Sequence, residues 1–437
     1  MEYEKKINYI IDVLKKGEKK EEDFKVGVEF EHIIVKEASY ESISYYGRGG
    51  VEAILEELLS KGYEGIYEKN HLIGMGKNGS FVSLEPGSQL EFSTRPCVGI
   101  REIEKLYLSF VNDIVPIIEK EESLMLATGF LPKTSIDKIE LIPKKRYVYM
   151  SKYFKTKGKY AHYMMKGTAS LQVSIDYANE DDFIKKFKVA NFLSPLFSLI
   201  TDNAPIFEGE IYRKNSVRSM IWDNMDDDRC GNVAGVMSKI FGYRQYAEYI
   251  LGIEPVLIEK DGRIISTGDE TVESIMDNYL FNQNEIEHIM TMVFPDVRAK
   301  RFIEIRSGDS LPYPLNLAYV SLIKGIFYNE KTLDYFFALA EEVGEQDLAK
   351  LKESVLELGF DGQATGSTNM EFVSDMFELS KRGLITGEIE YLKPLEDLML
   401  KRKNASIVSK ELIEQKGLDA LKWCALNTSM DEATRGK

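Results

Sequence analysis

Acidic residues stand in this chain at positions where strand-forming sequence calls for apolar ones. Three separated segments show it: Val26-Gly27-Val28-Glu29-Phe30-Glu31, Ser83-Leu84-Glu85-Pro86-Gly87-Ser88-Gln89-Leu90-Glu91-Phe92 and Phe302-Ile303-Glu304-Ile305-Arg306. Taking a carboxylate out of water is costly unless a cation compensates it. Brought together, Glu29, Glu31, Glu85, Glu91 and Glu304 would form one site for polyvalent cations. Hard oxygen donors that leave room for substrate phosphates suit two or three Mg²⁺ ions, with Mn²⁺ as an alternative. Each acid alone reads better as part of a solvated sheet face or as the partner of an arginine. The repeated pattern favours metal for the set. Glu85 and Glu91 flank Pro86-Gly87, which sets them on either side of a bend.

A second constellation is cationic. No acid occurs between Leu141 and Ile175, yet Lys144, Lys145, Arg146, Lys152, Lys155, Lys157, Lys159 and Lys166 do, with five tyrosines interleaved. In so acidic a chain this is a local electropositive stretch able to receive phosphate or a carboxylate. The lysines taken singly read as a solvated loop; Arg146, between Lys145 and Tyr147 and near Met150, reads as inward-facing. Arg218-Ser219-Met220-Ile221-Trp222-Asp223 adds a guanidinium suited to bidentate carboxylate binding. Asp226 to Asp228 lack the spacing of a calcium loop and read as helix caps or partners of Arg229, and Cys230 reads as a small filler. On a strand, Glu304 and Arg306 share a face. A metal-binding acid beside a phosphate-binding guanidinium suits phosphoryl transfer, although a structural ion pair is as good a reading of that segment alone.

Several classes are excluded or disfavoured. A formal net charge of −15 opposes a nucleic-acid surface. The opening residues lack the apolar core of a signal peptide, and no apolar run approaches a membrane span. Three scattered cysteines, Cys97, Cys230 and Cys424, suit a reducing compartment, and a cytoplasmic location is the expectation. There is no GxxxxGK[ST] loop, strand-linked GxGxxG, GxSxG elbow or HExxH, so a bound nucleotide must be held through metal ions and basic side chains.

The elements that must position these residues follow from periodicity. Residues 2–22 read as an amphipathic helix and 25–36 as a strand, on which Glu29 and Glu31 lie about 7 Å apart on one face. Helices are expected over 50–61, 100–122 and 181–203, and through most of 314–425. Asn78-Gly79 predicts a hairpin turn between strands near 71–75 and 80–85. Leu171, Val173 and Ile175 alternate with Gln172, Ser174 and Asp176 in a half-polar strand. With no regular βαβ rhythm and no linker, the chain reads as an α+β fold with a mainly antiparallel sheet. A single domain of residues 1–437 is expected, its C-terminal part helical from about 314; a separate helical domain is the alternative.

In order along the chain, these segments resemble glutamate–cysteine ligase of the plant and proteobacterial type, within the glutamine-synthetase-like carboxylate–amine ligases. The matching residues are Gly27 to Glu31; Ser83 to Glu91; Pro143 to Tyr147 with Met150 and Tyr153; Met164, Met165 and Thr168 leading to Gln172-Val173; Arg218-Ser219 with Ile221-Trp222, Asp226 and Asp228-Arg229; Phe294 to Arg298; and Glu304 to Arg306. The resemblance runs from about residue 24 to 330 and weakens beyond. It implies a curved antiparallel sheet that forms a funnel backed by helices. It implies Mg²⁺ on Glu29, Glu31, Glu85, Glu91 and Glu304, and ATP as co-substrate with Lys145 and Arg306 on its phosphates. Arg306 and Glu304 would serve the reaction itself, while Arg146, Arg218, Trp222, Arg229 and Gln172 would shape the glutamate and cysteine pockets. The implied reaction joins the glutamate γ-carboxylate to the cysteine amine through a γ-glutamyl phosphate, giving γ-glutamylcysteine, the first step of glutathione synthesis. Two alternatives stay open: the same activation with another amine acceptor, and a silent Mg·ATP-binding regulatory module. Oligomeric state stays open too. The sequence departs from the family at Gly167, where many relatives carry arginine, at Ala169, where plant forms often have cysteine, and at Cys230, a usual threonine.

Overall fold

The computed structural model describes residues 1–428. Nine strands build one sheet: β1 (Val26–Lys36), β2 (Glu64–Glu68), β3 (His71–Lys77), β4 (Ser80–Leu84), β5 (Leu90–Ser93), β6 (Ser123–Leu126), β7 (Ser170–Ile175), β8 (Val297–Ala299) and β9 (Ile303–Asp309). Their order is β8-β9-β7-β1-β5-β4-β3-β2, every neighbouring pair is antiparallel, and β6 pairs with the second half of β1. The α+β reading with a large antiparallel sheet backed by helices is what the molecule adopts.

The two faces differ because side chains alternate along a strand. Val26, Val28 and Phe30 of β1 are buried on one face. Phe30 packs on Tyr107 (ring centroids 4.3 Å apart) and Phe92 of β5 stacks on Phe110 (4.5 Å), both rings belonging to helix Ile100–Lys120. That helix turns Ile100, Ile103, Tyr107, Phe110, Ile114 and Ile117 to the sheet at three- and four-residue spacing. Removing one of these rings, as in Phe92→Ala, would cost about 3–5 kcal/mol. The opposite face is polar and carries the acids.

The Asn78-Gly79 turn forms with both residues at positive φ (53° and 78°), the geometry that joins β3 to β4 in register. The first helix is shorter than periodicity predicts, Tyr3–Lys15 instead of residues 2–22. Just past its end, a side chain at Gly17 would run into the Arg301 carbonyl and the Tyr177 hydroxyl. The cationic stretch, read as loop, is folded into helices Lys145–Phe154 and Ala161–Gly167. Tyr147, Met150 and Phe154 on the first, and Ala161, Met164 and Met165 on the second, are their buried sides.

Helix Glu180–Thr201 is buried nearly all round and lies against β9. From Leu315 onward the chain is mostly helical. Leu315–Phe327 packs on Asn369–Ser380 and Thr386–Met399, while Glu330–Glu341 and Glu345–Leu358 pack on Glu180–Thr201. Among the described residues no helix is long and apolar enough to cross a membrane.

Candidate active site

Register places the acids side by side. Glu31 of β1 stands opposite Glu91 of β5, and Glu91 stands opposite Ser83 of β4. Glu29 stands opposite Gln172 of β7, Ser174 opposite Glu304 of β9, and Glu304 opposite Arg298 of β8. Directly opposed residues share a face, so six strands contribute to one polar surface. Glu85 joins it from the turn after β4, where its N–H donates to the Gln89 carbonyl (2.9 Å) and its carbonyl accepts from the Ser88 N–H (3.0 Å). Gly87 lets this turn close: a Cβ there would lie 2.5 Å from the Lys166 carbonyl oxygen.

Over this surface lies a cavity of about 300 Å³. Glu29, Glu31, Glu85 and Glu91 line it from the sheet, and Arg146, Gln172, Arg218, Trp222 and Arg306 line it from around. Three of the acids resist ionisation. Burial, together with the charges of Glu91 and Glu304, pushes Glu29 up to about 8. Burial and the neighbouring Glu31 raise Glu85 to about 7, and burial with Glu85 and Glu31 raises Glu91 to about 7. Glu91 accepts from the hydroxyls of Ser83 (3.0 Å) and Ser93 (2.6 Å). Glu31 is better satisfied, accepting from the Ser170 N–H (2.6 Å), the Ser170 hydroxyl (2.7 Å) and the Gln172 amide (3.1 Å).

Charges of one sign held together in a cavity suit a divalent cation. Among the described residues, however, no three carboxylates are gathered into a compact ion cage. The donor set is the looser kind that suits Mg²⁺, which takes one or two carboxylates and completes its shell with water and substrate phosphates.

Glu304 differs from the other four. It is fully buried and does not line the cavity. Arg298 Nε donates to its Oε2 (2.7 Å), Lys300 Nζ to Oε1 (3.1 Å) and Arg306 to Oε2 (3.2 Å). Burial alone would raise its carboxyl, but Arg298, Lys300 and Arg306 outweigh that and hold it below the usual carboxylate range. The expected grouping of five acids is therefore four acids at the cavity and one beneath it.

The cationic wall also sorts its members. Consecutive helical residues point about 100° apart, so Arg146 and Lys145 cannot share a face. Arg146 lines the cavity; Lys145 sits outside it, its N–H on Glu68 (2.8 Å) and its ammonium 5.9 Å from the Tyr149 ring centre. Lys144, one residue earlier, lines the cavity in its place. Arg229 is fully buried and outside the lining, paired with Asp226 (2.6 Å) and the Glu254 carbonyl, its guanidinium 4.7 Å from the Tyr153 ring centre. Gln172 bridges the two sides: its amide donates to Glu31 and its carbonyl accepts from Arg306 (2.6 Å). Trp222 lies between Arg218 (5.4 Å to the ring centre) and Arg306 (5.7 Å), within cation–π range of both.

Sequence reasoning gave no site role to Ser170, Thr291 or Arg298 and named Lys144 only within the cationic stretch, yet all four line the cavity or fix its acids. Arg298 carried a signal in its segment, Phe294 to Arg298, but its role needed the β8–β9 pairing. At Gly167 an added side chain would run into Phe130 (2.6 Å) and Ile136 (2.9 Å), and the residue is not part of the cavity lining. That departure is filled by packing.

Comparison with known proteins gives concordant results. The model of the Glutamate-cysteine ligase family 2 matches residues 25–398. The chain is 27% identical over 387 residues to the chloroplastic glutamate–cysteine ligase of Nicotiana tabacum, covering 86% of this chain and 73% of that one. It is 27% identical over 383 residues to chloroplastic glutamate–cysteine ligase A of Oryza sativa subsp. japonica, covering 86% and 77%. Among solved structures it is similar in fold to the glutamate–cysteine ligase of Francisella tularensis in complex with AMP (TM-score 0.56, 12% identity, 94% of this chain and 88% of that one). It is also similar to a bifunctional glutathione synthetase from Pasteurella multocida (TM-score 0.53, 13% identity, 97% and 53%). The expected cytoplasmic location is corrected by the curated plant relatives, which are named as chloroplastic enzymes. The features that suggested it, unpaired thiols and an opening without an apolar core, do not distinguish one reducing compartment from another.

Proposed function

The chain belongs to glutamate–cysteine ligase family 2, and from that membership we propose that it is an ATP-dependent ligase joining the γ-carboxylate of glutamate to the amine of cysteine. The observation that carries this reading is the meeting, across one cavity, of four glutamates with the guanidinium groups of Arg146, Arg218 and Arg306. Such a cavity can receive a polyanionic nucleotide and an amino-acid carboxylate together. Glu29, Glu31, Glu85 and Glu91 would hold Mg²⁺. When bound, Mg²⁺ supplies charge neutralisation that lets a carboxylate and a triphosphate approach one another.

A carboxylate resists amine attack because its leaving group would be oxide. Phosphorylation removes that obstacle. A γ-carboxylate oxygen of glutamate bonds to the γ-phosphorus of ATP as the bond to ADP breaks. The neutral amine then bonds to the acyl carbon, phosphate departs with the electron pair, and the nitrogen loses a proton to give the amide. Arg306, held between Gln172 and Glu304, would orient the transferred phosphoryl group and offset charge on the phosphate that leaves. Arg146 and Arg218 would receive the substrate carboxylates, and Trp222 would form the apolar wall between them. Glu304 would act by holding Arg298, Lys300 and Arg306 in place. We take the whole chain as one catalytic unit whose helical part backs the sheet. ADP release measured with glutamate and a panel of amines, with the product identified by mass, tests the proposal. Release that needs glutamate and cysteine together, with γ-glutamylcysteine formed, supports it; release with a different amine alone reassigns the acceptor.

A further inference from the structure

We propose that Lys352, in the helical C-terminal third, is a positioning residue that holds the Trp222 wall of the cavity against the β9 arginine. It lies outside the cavity and touches no substrate. The inference deepens the ligase reading and rests on it for its kinetic arm alone.

Helix Val217–Asp223 carries Arg218 and Trp222 into the cavity, yet it has only seven residues. A helix so short has little stability of its own and must be held by its surroundings. Helix Glu345–Leu358 holds it at both ends. At the entrance the Asn215 N–H and side-chain amide both donate to the Leu356 carbonyl (3.3 Å each). At the exit Lys352 Nζ meets Asp223 Oδ1 at 2.5 Å.

The same ammonium reaches Asp296 Oδ2 at 3.0 Å. Asp296 belongs to the segment that leads into β8, and its carbonyl accepts from the Arg306 N–H (2.9 Å). One partly buried cation thus ties together the helix bearing Trp222 and the backbone that seats Arg306. These two side chains are the pair found 5.7 Å apart at the cavity. Removing the ammonium leaves two facing, largely buried carboxylates that repel each other and push the two walls apart.

The protein has two tryptophans, so Trp423→Phe leaves Trp222 as the sole reporter. Trp423 lies away from this cavity, its indole N–H on Ser409 (3.0 Å). In that background Lys352→Met is expected to shift Trp222 emission to the red and increase its quenching by acrylamide, while Lys352→Arg leaves both near wild type. In the otherwise native protein Lys352→Met is expected to lower kcat/KM for the amino-acid substrates about 10–100-fold, with Lys352→Arg recovering most of it. Should Lys352→Met fail to fold, Asp223→Asn carries the test, with the same red shift expected in weaker form. Trp222 emission and quenching unchanged by Lys352→Met, or a kinetic loss with Trp222 undisturbed, would overturn the proposal. Because fluorescence is read without turnover, an inactive wild type would count against the ligase reading and not against the clamp.

Discussion

Glu31 and Glu91 stand directly opposite each other across the β1–β5 ladder, two acids at a position where like charges repel. Hydrogen bonds from Ser170, Gln172, Ser83 and Ser93 hold the two carboxylates without neutralising them. A cation bound above them, as proposed for Mg²⁺, would supply the missing positive charge.

Glu29→Gln removes one of those charges and keeps the shape of the side chain. It is expected to lower ATP-dependent product formation by about 10³-fold with little loss of melting temperature, since a carboxyl pushed up by desolvation and like charges is a burden on the metal-free fold. Steady-state ADP release and thermal unfolding measured side by side check this. Near wild-type turnover would remove Glu29 from the site.

Glu304→Gln is expected to behave differently, because Glu304 is the buried partner of three cations. Turnover should fall and stability should fall with it, by about 3–5 kcal/mol, the usual cost of breaking a buried pair. Denaturant unfolding is the measurement. Lost activity with unaltered stability would instead class Glu304 with the four cavity acids.

Arg306→Lys keeps a positive charge but loses the planar fork that spans Gln172 and Glu304. A fall in kcat of about 10²-fold is expected. Unchanged kinetics would refute the role assigned to the guanidinium.

The raised carboxyls give a signed pH dependence. An acid whose folded value lies above its usual 4.5 imposes no penalty below that pH, and the penalty grows until the folded value is passed. For Glu29, Glu85 and Glu91 that window closes at about 7 to 8. Metal-free protein is therefore expected to lose stability as pH rises toward 8, and saturating Mg²⁺ to raise the melting temperature more at pH 8.5 than at pH 6.5, where protons compete with the ion. Equal Mg²⁺ shifts at the two pH values would contradict the raised acids as its binding site.

Much of this architecture was legible before coordinates. The alternation in Val26 to Glu31 and Leu171 to Asp176 placed Glu29 and Gln172 on polar faces, and those faces prove to be one because β1 and β7 pair. The Asn78-Gly79 turn, with its two positive φ values, was equally plain. What stayed hidden depended on distant partners. Glu304 looks like its fellow acids until β8 brings Arg298 opposite it. Lys144 and Lys145 are indistinguishable by type, and only the start of a helix at Lys145 decides which faces the cavity. The helices over 145–167 escaped notice because lysines and tyrosines mask a short apolar side made of Tyr147, Met150, Phe154, Met164 and Met165.

Acids from β1, β5 and the turn after β4 are proposed to hold divalent ions against the triphosphate. Anomalous diffraction from crystals grown with Mn²⁺ and a non-hydrolysable ATP analogue measures this directly. Peaks are expected within coordination distance of Glu29, Glu31, Glu85 and Glu91 and beside the nucleotide phosphates. Ordered nucleotide with no peak at those carboxylates, or with Mn²⁺ bound elsewhere, would contradict it.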